Sequence, residues 1–490
     1  MIRARLVIIV LIVLIFGEAR AFQLWRFCNT CQTAYRPVDA AGTRPSPGVS
    51  PMPVDVALDF TYAPPGFEDA VRWALDVWQS VPSATLTFNY SGSASCSPLF
   101  DCKNEINNIV WVKSGWLYPS DWLGVTVFEN FDSSEGTIWE TDIYINGESF
   151  HWFIGDTPVQ GAYDFKSVVV HELGHALGLD DISDYHFAYS TMYGYGEMAS
   201  IRARSLDQDD IDGLTFLYPA SEADLPPPGI TGIKRKGETS FRDTLWGEQG
   251  EAPFDVDLQG FGFILTNETM TSTIEVELWR GLTKVSEPSV SDLLFSDYDK
   301  LSVTLDFSAP PATGEYDLRV INPNGKDGWL IGGVQTNLPG NVPPTVSLDA
   351  YGVATVGSLF TICAQAQDPQ GDGDGDAPLE YLWELVVQPD GSSVTLQGAD
   401  TDCTSFTPIK PGWYAVDVTV YDGVVWSITD GMEILAENPH PPPSDNDNGD
   451  GGGCGGCSTG GSPLEILPPL LMLLGAWLLI RLGIKREKTF

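Results

Sequence analysis

The sequence predicts an α+β domain over residues 52–220, a twisted mixed sheet carrying helices, followed by two all-β modules over residues 229–340 and 342–437. Three observations predict this. In the first half of the chain, apolar residues recur with period two in some stretches and with helical period in others. In the second half only short alternating strands recur, between Gly- and Pro-rich turns. The composition, 50 Gly and 35 Pro with 19% charged residues, suits turn-rich β modules better than long helices.

The N-terminal stretch Met1–Ala21 reads as a secretory signal: Arg3 and Arg5, an apolar run from Leu6 to Phe16, then the small-x-small triplet Ala19-Arg20-Ala21. Residues 22–51 form an N-terminal arm or a short propeptide, ending in Pro and Gly. Val54, Val56, Leu58 and Phe60 alternate with Asp55, Ala57 and Asp59, which predicts a first strand. Pro64-Pro65-Gly66 breaks it. Phe67, Ala70, Val71, Ala74, Val77 and Trp78 then fall on one helical face up to Ser80. Strands are predicted at Leu86–Tyr90, Ile109–Val112, Gly124–Phe128 and Thr141–Asn146. A last helix opens at Asp207, a plausible N-cap followed by acidic residues that suit a helix N-terminus, and runs to Tyr218-Pro219.

Between these lies the stretch Val168–Asp181, V-V-V-H-E-L-G-H-A-L-G-L-D-D. Its His171, Glu172 and His175 follow the order H-E-x-x-H. On a helix, residues four apart share a face, so the two imidazoles can grip one metal ion with Glu172 beside it. Zinc favours such nitrogen ligands in a four-coordinate site with one position open. Zinc lowers the pKa of a bound water to about 7, and a neighbouring carboxylate can take its proton. That chemistry hydrolyses amides. Gly178 permits a sharp turn that would return a third ligand. Asp181 stands at that register, with Asp180 and His186 as rivals, and Asp184 is a candidate to orient a histidine.

The spacing H-E-x-x-H-x-x-G-x-x-D, followed by Ser190-Thr191-Met192-Tyr193, resembles the metzincins, with Asp181 where most have His, as in the snapalysin-like members. Residues 52–219 resemble a matrixin-type metzincin in element order and in the closing L-D-Q-D-D-I-D-G-L-T-F-L-Y. The resemblance implies an α+β metzincin catalytic domain, one catalytic zinc on His171, His175 and Asp181, and Glu172 as general base. It further implies that Met192 underlies the metal in a Met-turn. A substrate cleft would lie along Gly124–Phe128, with Tyr193–Ser205 walling a pocket. With five His in the chain, the second, structural zinc of animal matrixins is not expected.

Residues 229–340 resemble an immunoglobulin-like module of the IPT/TIG type. Residues 342–437 resemble a PKD-like sandwich, with Trp383 in its core; Asp368, Asp372, Asp374 and Asp376 make calcium a candidate ligand there. Residues 438–463 are Pro-, Asp- and Gly-rich. Residues 464–490 join an apolar run to a basic end. Together with Cys454 and Cys457 they resemble a MYXO-CTERM-like sorting signal, or else a plain membrane anchor. Either would attach the protein to the cell envelope. For an exported chain, Cys28–Cys31, Cys96–Cys102 and Cys363–Cys403 read as disulfides.

A net charge of −40 excludes nucleic-acid binding through phosphate neutralisation. The combined expectation is an exported, surface-attached zinc endopeptidase acting on proteins or peptides. The competing readings are a non-catalytic adhesin built on a protease-like domain, and a calcium-dependent structural surface protein. The sequence carries no indication of oligomeric state.

Overall fold

The computed structural model describes residues 22–27, 32–59, 61–96, 99–100, 102–264, 273–349, 351–369, 378–389 and 391–438. The signal stretch, Cys28 and Cys31, the acidic loop residues Asp372, Asp374 and Asp376, and the C-terminal sorting stretch lie outside them. No helix among the described residues is long and apolar enough to cross a membrane. The chain divides into two compact units. The first holds the described residues up to Val346 together with Ala366–Leu382 and Val418–Thr429; the second holds Ser347–Gln365, Trp383–Asp417 and the described residues from Asp430.

In the first unit, β1 (Val54–Asp59), β2 (Phe88–Ser93), β3 (Asn107–Val112), β4 (Gly124–Asp132) and β5 (Thr137–Asn146) form one sheet. Its order is β2-β1-β3-β5-β4, with only the β4–β5 pair antiparallel. β4 therefore lies at an edge. Four strands depart from the sequence expectation: β3 begins two residues earlier, at Asn107, and β5 four residues earlier, at Thr137. β2 begins at Phe88 rather than Leu86, because its partner β1 begins at Val54, just after Pro53, and Val54 pairs with Phe88. β4 runs past Phe128 to Asp132, because it closes a hairpin with β5 in which Asp132 faces Thr137.

α1 (Phe67–Gln79) packs its face of Phe67, Ala70, Val71, Ala74, Leu75 and Trp78 inward. The Trp78 indole N–H donates to the Val170 carbonyl at 2.8 Å, which joins α1 to α2 (Phe165–Leu177). α3 (Gln208–Leu217) starts at Asp207, as expected, and the Asp207 N–H donates to the Asp210 carboxylate at 2.8 Å. Burying such faces at about 25 cal/mol per Å² of apolar surface supplies most of the stabilisation.

Among the described residues, the same unit carries nine further strands of a two-sheet module between Gly229 and Asn337. One sheet contains Ser289–Asp297, Lys300–Asp306, Phe254–Phe261 and Gly229–Arg235, in that order. The other is centred on Gly314–Ile321. Inward residues alternate along each strand, as in Leu301, Val303 and Leu305 facing Leu318 and Val320.

In the second unit, Tyr351–Thr355 pairs in parallel with Asp430–Glu437, and Phe360–Cys363 pairs antiparallel with Cys403–Phe406. Cys363 and Cys403 face each other and form a disulfide. Trp383 is buried and donates its indole N–H to the Thr401 carbonyl. Cys96–Cys102 is the other disulfide among the described residues.

Candidate metal centre

α2 is launched by Asp164, whose carboxylate accepts the Ser167 N–H at 3.0 Å. Arg204, from the segment after Met192, clamps the same carboxylate with two bonds of 2.7 Å. The β-branched run Val168–Val170 is unfavourable for an isolated helix. It is offset by burial, since Val169 and Val170 are fully enclosed. The helix stops at Gly178, whose φ is +104° and whose missing Cβ would lie 2.7 Å from the Ala34 carbonyl oxygen. Both the conformation and the space therefore require glycine.

That turn brings Asp181 back over the helix face. His171 Nε2 and His175 Nε2 lie 3.1 Å apart. Asp181 Oδ1 lies 3.2 Å from the first and 3.5 Å from the second. Metal–ligand bonds of ~2.0–2.1 Å in a tetrahedron imply ligand–ligand separations of ~3.3–3.4 Å, so the triangle has the size of a zinc site. The other ring nitrogens are committed. His171 Nδ1 donates to the Thr191 carbonyl at 2.8 Å, and His175 Nδ1 donates to the Leu179 carbonyl at 3.0 Å. Both Nε2 atoms thus turn bare lone pairs toward a carboxylate oxygen, and three acceptors converging at this distance need a cation among them.

The electrostatics agree. Burial works against a charged His175, yet Asp181 and Glu172 push its imidazole up to about 10. Desolvation by the surrounding chain works against the half-exposed Asp181 anion, yet His175 and His171 hold its carboxyl well below the usual carboxylate range.

Glu172 is buried beside this triangle. Its Oε2 is 2.7 Å from Thr126 Oγ1 on β4. Its Oε1 occupies the space of a missing side chain, since a Cβ on Gly124 would sit 2.7 Å from it. Met192 is buried under the helix against Gly174. Its carbonyl accepts the Ile182 N–H at 2.9 Å, which pairs the Asp181 segment with the Met192 segment.

The Met192 turn rests in its turn on α3. Asp210 accepts the N–H groups of Thr191 and Met192 at 2.9 and 3.0 Å. Ser190 Oγ lies 2.6 Å from Asp209 and 2.8 Å from Asp210 but has one proton to give. Burial raises both carboxyls. Asp210, with three backbone donors, is the anion of the pair; Asp209 keeps a proton and donates it to Ser190.

His171, His175 and Asp181 form the only cluster of this kind among the described residues. Asp180 instead accepts the Asp181 N–H and is pushed up to about 6, chiefly by burial. His186 pairs with Asp184 at 2.6 Å, away from the triangle. The sequence reading missed Asp164 and Arg204, although a capping pattern at Asp164-x-x-Ser167 was available. It also missed Arg36, whose buried guanidinium donates to the Ala176 carbonyl at 2.8 Å and to Thr141 Oγ1 at 2.7 Å. No local pattern announces that role.

Comparison with known proteins gives a consistent picture. Metalloendoproteinase 1 of Glycine max is 31% identical over 158 residues, covering 31% of this chain and 45% of the relative. Matrix metalloproteinase-16 of Homo sapiens is 29% identical over 167 residues, covering 34% of this chain and 25% of the relative. The chain thus spans less than half the length of these curated relatives. A solved PKD domain from human KIAA0319 aligns over 22% of this chain and 93% of its own, at 17% identity and a TM-score of 0.19, too slight a likeness to bear on the fold. Residues 62–219 match the matrixin family model, and that segment of the chain is a matrixin domain.

Proposed function

We propose that this protein is a zinc-dependent endopeptidase, snapalysin-like in its Asp third ligand, that hydrolyses peptide bonds of protein substrates outside the cytoplasm. The observation that carries the reading is the triangle of bare acceptors, His171 Nε2, His175 Nε2 and Asp181 Oδ1, at 3.1–3.5 Å with Glu172 beside it. These three side chains would hold the ion. When bound, zinc would polarise the scissile carbonyl and acidify a water molecule.

The remaining chemistry belongs to the chain. Glu172 accepts the proton of the attacking water and returns it to the leaving amine. Thr126 Oγ1 and the gap at Gly124 hold the Glu172 carboxylate in its pocket. Thr191 and Leu179 carbonyls keep both imidazoles in the tautomer that leaves Nε2 free. β4 lies at the edge of its sheet, where an extended substrate can add as a further strand, passing Glu172. The stretch Tyr193–Ser205 would wall the pocket beyond the scissile bond. Export and attachment through residues 464–490 complete the proposal, and the β modules would serve as spacers or binding surfaces.

The test uses the full chain, wild type beside Glu172→Ala, loaded with zinc and given a mixed peptide library. Cleavage is expected from the wild type and to fall by at least ~10²-fold in the variant. Equal cleavage by both, or by neither with zinc bound, refutes the proposal.

A further inference from the structure

The segment that delivers Asp181 is held from two sides. On one side Ile182 pairs with the Met192 turn. On the other it meets the N-terminal arm. Leu24 and Leu179 face each other as an antiparallel bridge. The Trp25 N–H donates to the Gly178 carbonyl at 2.8 Å, and the Asp180 N–H donates to the Gln23 carbonyl at 2.9 Å. Both leucines are buried. The Trp25 ring stacks on Phe128 of β4 with centroids 4.9 Å apart, and lies edge-on to the His175 ring at 6.0 Å.

The arm is itself pinned by the β module of the same compact unit. The turn between Ser289–Asp297 and Lys300–Asp306 presents Asp297, Tyr298 and Asp299 to it. Arg26 pairs with Asp297 at 2.6 Å and with Asp299 at 3.3 Å, and its guanidinium lies 4.9 Å from the Tyr298 ring centroid. The Leu24 N–H donates to Tyr298 Oη at 3.2 Å. Phe22 packs between Phe216 of α3 and Phe261 of the module, with centroids at 5.4 and 5.2 Å. Gly213 makes room for this, since a Cβ there would lie 2.9 Å from both Phe22 and Leu179.

We propose that Gln23–Arg26, pinned by Asp297 and Tyr298, is a positioning element for the third zinc ligand, so that the β module acts on the metal centre through the arm. Asp181 lies one residue beyond the last arm contact. Its side chain is 48% exposed, so little packing of its own holds it. Backbone pairing on either flank must do so instead. Loss of the arm contacts would leave residues 178–179 held only by the helix cap, through Gly178 N–H to the His175 carbonyl and Leu179 N–H to the Gly174 carbonyl, and would remove one of the two backbone pairings that flank Asp181. Arg26 and Tyr298 are then positioning residues that touch neither substrate nor metal.

The proposal rests on Asp181 being a ligand, and the experiment separates the two. In the full zinc-loaded chain, zinc release to a chelator is measured for wild type, Asp181→Ala, Arg26→Ala, Arg26→Lys and Tyr298→Phe. The visible spectrum of the cobalt-substituted proteins is recorded alongside. Val334→Ala, in the module core, serves as a control for lost stability. Arg26→Ala and Tyr298→Phe are expected to speed zinc release about tenfold and to shift the cobalt bands, with partial rescue in Arg26→Lys. Wild-type release and spectra in both variants overturn the proposal. So does an equal effect from Val334→Ala, which would make the arm a source of stability and nothing more. Unchanged release in Asp181→Ala defeats the ligand reading itself, whatever the arm variants do.

Discussion

Substituting Gly174 by alanine sets two effects of opposite sign against each other. In a solvent-facing helix position the change stabilises by about 1 kcal/mol, because alanine has the better helix propensity. Here Gly174 faces inward, one residue before His175. A Cβ would overlap Met192 Sδ outright and lie 3.1 Å from both Met192 Cε and Trp78 Cζ2. Met192 and Trp78 are 2% and 0% exposed, so neither can swing out to solvent. Overpacking of this kind costs about 1–3 kcal/mol. The net change is a destabilisation of up to about 2 kcal/mol where propensity alone predicts a gain. Relief by moving Met192 would drag its neighbour Thr191, whose carbonyl holds His171 Nδ1 at 2.8 Å. Zinc affinity should therefore fall about tenfold or more. The assay is thermal unfolding of the zinc-free chain together with zinc affinity by chelator competition. Adding Met192→Ala, which vacates the space, should recover part of the loss as a positive coupling in the double-mutant cycle. A Gly174→Ala protein that is more stable than wild type and binds zinc normally would refute the packing argument.

Two further expectations follow from groups under the site. Arg204→Ala leaves the Asp164 carboxylate, 1% exposed, without its guanidinium partner; the Ser167 bonds remain, so the loss is placed at about 3 kcal/mol, the low end for a broken buried pair. That is a fall in melting temperature of about 6–12 °C, and Arg204→Lys should restore only part of it, since lysine cannot form both bonds. The Asp209 proton makes stability depend on pH. Asp209 is pushed up to about 8, chiefly by burial and then by Asp210, while an unfolded Asp gives up its proton near ~4. The folded state therefore binds more protons across this range, and its stability declines as pH rises from about 4 to about 8. Asp209→Asn, which keeps the donor to Ser190, should flatten that decline in melting curves taken across the range; an unchanged slope would refute the assignment of the proton.

Much of the candidate site was legible in the residues. The i, i+4 spacing of His171 and His175 places both rings on one face wherever a helix forms. Gly178 is read as a turn because few other residues tolerate its φ, and Asp207 as a cap because a carboxylate beside free N–H groups is locally favourable. These are short-range properties of the backbone. The β-module strands were legible for the same reason, as in the alternation Leu301, Val303, Leu305.

That Asp181, and not Asp180 or His186, approaches both imidazoles is of another kind. It depends on how residues 178–182 are gripped between the arm at Leu24 and the turn at Met192, segments more than a hundred residues apart in the chain. The same holds for Arg36 beneath α2, for Arg204 across Asp164, and for the β-module turn at Tyr298 that meets the arm. The sequence by itself determined which atoms can bind a metal and which local turns can present them. Only the tertiary structure decided which atoms converge, because convergence within about an ångström is set by packing between distant segments, and no local periodicity encodes that.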